Sequence, residues 1–188
     1  NHIHKTGLFG NHENKNEESL LKVSEVKNLL IVQIVQYKNS TVSFENIDID
    51  SLKLKNEPLI VVSNNDTRIL WNGPKNWLLI STKKDLLKNI IESFKETDFA
   101  VTDLSHSRAI IELEGQDAKE VLKKGCPFNF NILDKNNSIN STYNGIAFTA
   151  DIIDNKPYKI RLFSLRSFGE SFYHSISDSS LEFGYKAI

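Results

Sequence analysis

The densest cluster of chemically able side chains is Asp103-Leu104-Ser105-His106-Ser107-Arg108. An acid, a hydroxyl and an imidazole are the parts of an acid–base or nucleophilic group. Neighbours on an extended chain point to alternate faces, however, and a catalytic triad draws its members from separate elements. The segment therefore reads better as a turn between two strands, its Asp and Ser side chains bonding local backbone. Cys126, the single cysteine, follows Gly125 at a helix end. The partial negative charge there works against a reactive thiolate, although Lys123 and Lys124 oppose it, and a buried, inert thiol is the expectation. Arg166 precedes a helix, and two readings stay open for it. Its guanidinium clamps a carboxylate of a partner or ligand, or it makes an internal ion pair that fixes the strand-to-helix turn. Arg68 and Arg161 read as exposed cross-strand residues. His2, His4 and His12 read as scattered histidines of a polar tail rather than metal ligands.

The sequence holds no G-x-G-x-x-G, Walker loop, H-E-x-x-H or G-x-S-x-G pattern, so it shows no dinucleotide, phosphate-loop, zincin or hydrolase fingerprint. Its 188 residues, 39% hydrophobic and 25% charged, are those of an ordinary globular chain able to bury a core. A net charge of −1 steers it neither to nucleic acid nor to an anionic membrane. The longest apolar run, Leu29–Val35, is interrupted by Gln33 and falls short of the ~20 residues that span a bilayer. One cysteine and no secretory pattern in the first ten residues give a cytoplasmic expectation.

Positioning falls to the surrounding elements. Residues 1–19 read as a flexible polar arm, and 20–188 as a single α+β domain without a Gly/Pro linker. Strands are expected at Leu29–Tyr37, weakly at Thr41–Phe44, and at Pro58–Ser63. Thr67–Trp71 and Trp77–Ser81 flank the turn Asn72-Gly73-Pro74-Lys75-Asn76 and predict a hairpin. Lys84–Glu96 predicts a helix with Leu86, Leu87, Ile90, Ile91 and Phe94 inward. Strands follow at Phe99–Asp103 and Ala109–Glu114. Gly115 turns the chain into a helix over Asp117–Lys124, with Gly125 at its stop position. Phe128–Asn140 reads as irregular, and Tyr143–Ile153 and Tyr158–Leu165 as strands. The last helix carries the stripe Phe168, Phe172, Ile176, Phe183, a capping box Ser167–Glu170, and Gly184 at its end. Mainly antiparallel sheet with helices packed on one side is the expected architecture.

Three stretches in order resemble the gamma subunit of heterotetrameric sarcosine oxidase. Ile69-Leu70-Trp71-Asn72-Gly73-Pro74-Lys75-Asn76-Trp77-Leu78-Leu79 is similar to the family's Leu-Gly-Pro-x-x-Trp-Leu. Asp103-Leu104-Ser105, the turn at Gly115 into a helix, and Lys124-Gly125-Cys126-Pro127 look like a second block. Arg166-Ser167-Phe168, running to Gly184, is similar to the family's C-terminal helix. Asn129 stands where an aspartate is common, and no arginine lies near Tyr143–Asn144. The stretches cover roughly residues 67–184, and the first 65 match loosely.

The resemblance implies a fold like the folate-binding domain of glycine-cleavage T-proteins. It implies a non-catalytic structural subunit of a tetrahydrofolate-linked enzyme that oxidatively demethylates sarcosine to glycine. No cofactor is implied on this chain, while FAD, FMN, NAD, tetrahydrofolate and zinc belong to partner subunits. The implied partner is the folate-binding half of the alpha subunit, with beta and delta subunits completing the complex. The motif residues Gly73, Pro74, Trp77, Asp103, Ser105, Gly115, Gly125, Cys126, Arg166, Ser167, Phe168 and Gly184 are then structural or interface positions. An obligate interface of about 2,000 Å² or more would use exposed aromatics, for which Phe9, Phe128, Phe130, Phe172 and Tyr173 are candidates. The alternative is a stand-alone folate-binding or aminomethyltransferase-like domain, with Asp103, Asp151 or Glu182 holding a pterin.

Overall fold

The computed structural model describes residues 6–13 and 15–188. In chain order its elements are strands β1 (Gly7–Phe9), β2 (Leu21–Val26), β3 (Leu30–Gln36), β4 (Asp48–Ile49), β5 (Leu52–Lys53), β6 (Val61–Ser63), β7 (Thr67–Gly73) and β8 (Asn76–Ser81). Helix α1 (Leu86–Ser93), strands β9 (Phe99–Asp103) and β10 (Arg108–Glu114), and helix α2 (Ala118–Gly125) follow. Strands β11 (Asn137–Tyr143), β12 (Ile146–Asn155) and β13 (Tyr158–Leu165), helix α3 (Gly169–Ser180) and strand β14 (Tyr185–Ala187) complete it. This is the expected α+β class. Where one domain is expected over 20–188, the chain divides into two compact units. Of the four crossings between them, those at Lys27–Asn28, His106–Ser107 and Lys135–Asn136 are short bends or turns rather than linkers, with Asn28 at φ +64° and Asn136 at +63°, and that at Ile139–Asn140 falls inside β11. That is why no composition shift marks them.

One unit spans residues 28–106 and 136–139. Its antiparallel five-stranded sheet runs β6-β7-β8-β3-β9. β3 lies inside the sheet between β8 and β9, and its apolar side chains serve the core. Leu30, Val32 and Ile34 pack with Ile69, Trp77, Leu79, Ile90, Phe94 and Phe99. Helix α1 is shorter than the pattern predicts, and Ile91, expected inward, is 56% exposed. Leu86, Ile90 and Phe94 already fill the inward stripe. No strand forms at 41–44, where a single 3₁₀ turn covers Phe44–Asn46.

The second unit spans residues 1–27, 107–135 and 140–188. Its seven-stranded sheet runs β1-β14-β2-β10-β13-β12-β11, with β14 and β2 parallel. Helices α2 and α3 pack on each other and on β13 and β10. Leu113, Val121, Leu122, Leu162, Phe172 and Ile176 are fully buried there. The stretch read as a flexible arm contributes β1, paired to β14. Its pairing partner lies at the far end of the chain, so no local signal announces it. His2 and His4 lie outside the described residues. His12 lies against the Gly10 carbonyl, 2.8 Å from its Nδ1.

Strands β2, β4, β5 and β14 lie outside the sequence reading, β11 forms largely within the stretch read as irregular, and the strand expected from Tyr143 starts only at Ile146. β2 alternates apolar and polar from Leu21 to Ser24 before Glu25 breaks the pattern, and β14 is three residues long. Asn144-Gly145 form a two-residue hairpin loop between β11 and β12, at φ +47° and +84°. Asn-Gly is the residue pair that suits two successive left-handed positions.

Candidate functional site

The Asp103 turn is the first test of chemistry, and its groups are turned to architecture. The Ser105 hydroxyl donates to Asp103 Oδ1 at 2.6 Å, and the Ser105 N–H donates to the same oxygen at 3.0 Å. The Ile31 N–H donates to Ser105 Oγ at 2.9 Å, and the Leu104 N–H to the Ile31 carbonyl at 2.7 Å. The ladder between β3 and β9 ends at Val32 opposite Asp103, and Ser105 satisfies the next donor. The Ser105 hydroxyl and then its N–H hold the Asp103 carboxyl below the ordinary aspartate value, with His106 adding to them. The depressed Asp103 carboxylate is a weak proton acceptor, and the Ser105 oxygen is engaged by the Ile31 N–H, so the hydroxyl is committed to the strand end.

The Gly-Pro-x-x-Trp stretch is a tight hairpin. Gly73 pairs with Asn76, leaving Pro74 and Lys75 as the loop, two residues shorter on its N-terminal side and one on its C-terminal side than predicted. Pro74 suits the second place of such a turn, and Gly73 sits at φ +138° and Lys75 at +52°. Asn56 Oδ1 accepts from the Lys75 N–H at 2.8 Å and from Trp71 Nε1 at 3.1 Å. Trp77 is buried beneath, its Nε1 donating to the Lys55 carbonyl at 2.9 Å and its ring 4.9 Å from that of Phe44.

Around α2 the motif residues also serve packing. Gly115, at φ +145°, passes Leu21, whose Cα lies 3.2 Å from where a Cβ would stand. Gly125 is not a left-handed stop residue; it is the last helical residue, and Cys126 is the cap. A Cβ there would stand 2.7 Å from the Tyr143 ring. Close approach, not backbone conformation, is what requires glycine. The Tyr143 hydroxyl donates to the Val121 carbonyl at 2.8 Å, and 2.7 Å separates it from Ser179 Oγ. Burial pushes its ionisation above the ordinary tyrosine value. Cys126 is buried with Sγ 3.1 Å from Ser141 Oγ.

The C-terminal stretch differs from expectation. Arg166-Ser167-Phe168 form a 3₁₀ turn before α3, and Ser167 makes no capping bond. The 3₁₀ turn moves Ser167 out of the position that faces the helix N–H groups. Phe168, placed in the core stripe by periodicity, is 50% exposed for the same reason, whereas Phe172 and Ile176 are buried. Arg166 Nη2 donates to the Arg108 carbonyl at 3.2 Å, and its N–H to that of Ser107 at 2.9 Å. It makes no ion pair among the described residues, so the internal-pair reading fails. Gly184, at φ +73°, passes Asn11, whose carbonyl oxygen a Cβ at this position would strike. Of the proposed interface aromatics, Phe130 and Phe172 are fully buried. Phe9 stacks on Tyr185, ring centroids 5.3 Å apart.

The carboxylates nominated for a pterin each have a partner. Asp103 holds Ser105, Asp151 is buried opposite Arg161, and Glu182 pairs with Lys124. Glu112 takes Arg161 at 3.0 Å, so that arginine is half-buried in an ion pair rather than a free surface group. Among the described residues no three His, Cys, Asp or Glu converge as metal ligands. A depression of about 510 Å³ along α3, lined by Glu170, Tyr173 and His174, takes its residues from that helix alone. It is an open helix face, not a cleft where separate elements meet.

One network has no counterpart in the sequence reading. Lys83 Nζ bonds Asp50 Oδ1 at 2.7 Å, and Thr67 donates to Asp50 Oδ2 at 2.6 Å. Ser81 Oγ is 2.7 Å from Thr67 Oγ1 and accepts from the Lys83 N–H at 3.0 Å. The Lys83 and Thr67 bonds hold Asp50 below its ordinary value, and Asp50 holds Lys83 above its own. The network ties the β4–β5 loop, left-handed at Asp50 and Ser51, to the β7–β8 hairpin. Its members are scattered over 33 positions, so spacing could not reveal them.

The architecture has known counterparts. A chain of heterotetrameric sarcosine oxidase from Corynebacterium sp. U-96, solved in complex with pyrrole 2-carboxylate, superposes with a TM-score of 0.76. That match covers 89% of this chain and 90% of the other at 22% identity. Glycine cleavage system aminomethyltransferase T from Bartonella henselae gives a TM-score of 0.62 over 90% of this chain and 48% of the other, at 11% identity. The fold is therefore one that a sarcosine oxidase chain and an aminomethyltransferase share. In sequence the chain is similar to sarcosine oxidase subunit gamma. It is 36% identical to that subunit from Corynebacterium sp. strains P-1 and U-96, over 62 residues, 32% of this chain. The matched stretch spans 30% of the length of those relatives. No family model matches.

Proposed function

We propose that the chain is a non-catalytic structural subunit of a heterotetrameric, tetrahydrofolate-linked sarcosine oxidase, the gamma position of an enzyme that demethylates sarcosine to glycine. The observation that carries this reading is the agreement of the sarcosine oxidase chain with this one over nine-tenths of both. The sequence similarity to subunit gamma supports it. So does the bonding of Asp103 and Ser105 into a strand end. On this reading the motif residues hold the scaffold or face a partner. FAD, FMN, NAD, tetrahydrofolate and zinc reside on the other subunits. The alpha subunit, through its folate-binding half, is the direct partner, with beta and delta in the same cytoplasmic complex.

Co-expression with the other sarcosine oxidase subunits of its source tests this. The chain is expected to co-purify in a flavin-containing complex active on sarcosine, and to bind no flavin alone. Failure to associate overturns the proposal. The likeness to an aminomethyltransferase favours a second reading, a stand-alone folate-binding domain. Calorimetry with tetrahydrofolate separates the two, since micromolar affinity of the chain alone supports the second.

A further inference from the structure

Where β13 runs into the 3₁₀ turn before α3, two large apolar side chains and two guanidiniums share one corner of the surface. Leu165 is 43% and Phe168 50% exposed, in a chain that fully buries Phe130 and Phe172. Arg108 is the register partner of Leu165, so the two side chains stand on the same face of the sheet. Arg166 follows Leu165 and reaches the Arg108 carbonyl at 3.2 Å. Only four of the 23 basic residues are arginine. Of those, Arg161 is paired with Glu112. Arg108 and Arg166 make no ion pair among the described residues. Their side chains bond only neutral groups, at Ser107 and the Arg108 carbonyl. Glu170, the acid nearest Arg166 in sequence, pairs with neither, and Glu112, the acid nearest Arg108, is taken by Arg161 and Lys159. Burial holds the Arg108 guanidinium below its ordinary value, a desolvation that no neighbouring carboxylate offsets.

We propose that Leu165, Phe168, Arg108 and Arg166 form the docking corner for a partner protein surface that presents a carboxylate flanked by aliphatic side chains. The charge pattern selects this occupant. A guanidinium fork takes a carboxylate bidentately, and the flanking Leu and Phe exclude the water that would otherwise screen the pair. Aromatic and arginine side chains are those that concentrate binding energy at interfaces. This deepens the subunit reading and rests on it. Arg166 then makes the clamp that its position before α3 left open.

The test uses the chain co-expressed with the other subunits of the sarcosine oxidase of its source. Variants R108E/R166E, R166K and F168S are compared with wild type and with I91S, an equally exposed apolar position on α1. Circular dichroism melts confirm that each folds. Charge reversal is expected to weaken assembly by about tenfold or more, F168S and R166K less, and I91S not at all. Wild-type assembly that survives R108E/R166E and F168S overturns the docking corner and leaves the subunit reading standing. Wild type that fails to assemble overturns both. A wild-type chain that dimerises alone through this corner, with the dimer abolished by R108E/R166E, also overturns the proposal in favour of a second copy.

Discussion

The Ser105 hydroxyl both donates to Asp103 and accepts from Ile31, so its removal breaks a chain of bonds at a strand end. Ser105→Ala is expected to lower stability by about 1–2 kcal/mol in urea melts. Asp103 adds a pH dependence. Its folded value is depressed, so its contribution is present above the unfolded pKa of about 4 and is lost as pH falls through the folded value. Asp103→Asn is expected to flatten the acid limb of a stability-against-pH profile; an unchanged limb refutes that role. Tyr173 behaves in the opposite sense. Burial pushes it up to about 12. Stability is expected to fall as pH rises from the unfolded value of about 10 toward 12, and Tyr173→Phe to remove that loss in alkaline melts. At Gly125 the limit is steric. Ala there drives a methyl into the Tyr143 ring, and a loss of about 1–3 kcal/mol is expected by thermal denaturation.

At the scale of elements, the chain ends are joined by close approach. β1 pairs with β14, and Gly10 and Gly184 let the backbone cross at Leu181 and Asn11. Both glycines are left-handed, at φ +70° and +73°. Gly184→Ala is expected to cost at least about 1–2 kcal/mol from backbone conformation alone, before the clash with Asn11. Hydrogen exchange of the β1 and β14 amides would report it, and unchanged protection would show that the strap does not depend on this crossing. The β7–β8 hairpin depends on a different device. Asn56 receives two donors from it, so Asn56→Ala is expected to lose about 1–2 kcal/mol, with a shift in tryptophan emission as Trp71 Nε1 is released.

For the whole molecule, two compact units mean two cores. Both tryptophans, Trp71 and Trp77, lie in the unit built on residues 28–106. Leu113 is fully buried in the other. Leu113→Ala is expected to cost about 2–5 kcal/mol and to move the far-UV circular dichroism transition more than the tryptophan fluorescence transition. Coincident, equally shifted transitions would mean that the chain unfolds as one cooperative body.

Periodicity and turn chemistry, read from the sequence alone, determined the α+β class, the β7–β8 hairpin, β9, β10, β13 and the amphipathic helices, because those signals are local. They also marked Asp103-x-Ser105 as a turn, since an Asx bond spans two residues. Folding in three dimensions decided the rest. It placed β1 beside β14 and joined Asp50 to Lys83 and Thr67. It gave Gly125 its reason in the Tyr143 ring and turned Phe168 outward on a 3₁₀ turn. Each of these depends on partners distant in sequence, or on one residue's shift in helix phase, and neither leaves a trace in composition or spacing. The division into two units is of the same kind, because it is defined by which residues pack together and not by the connections between them.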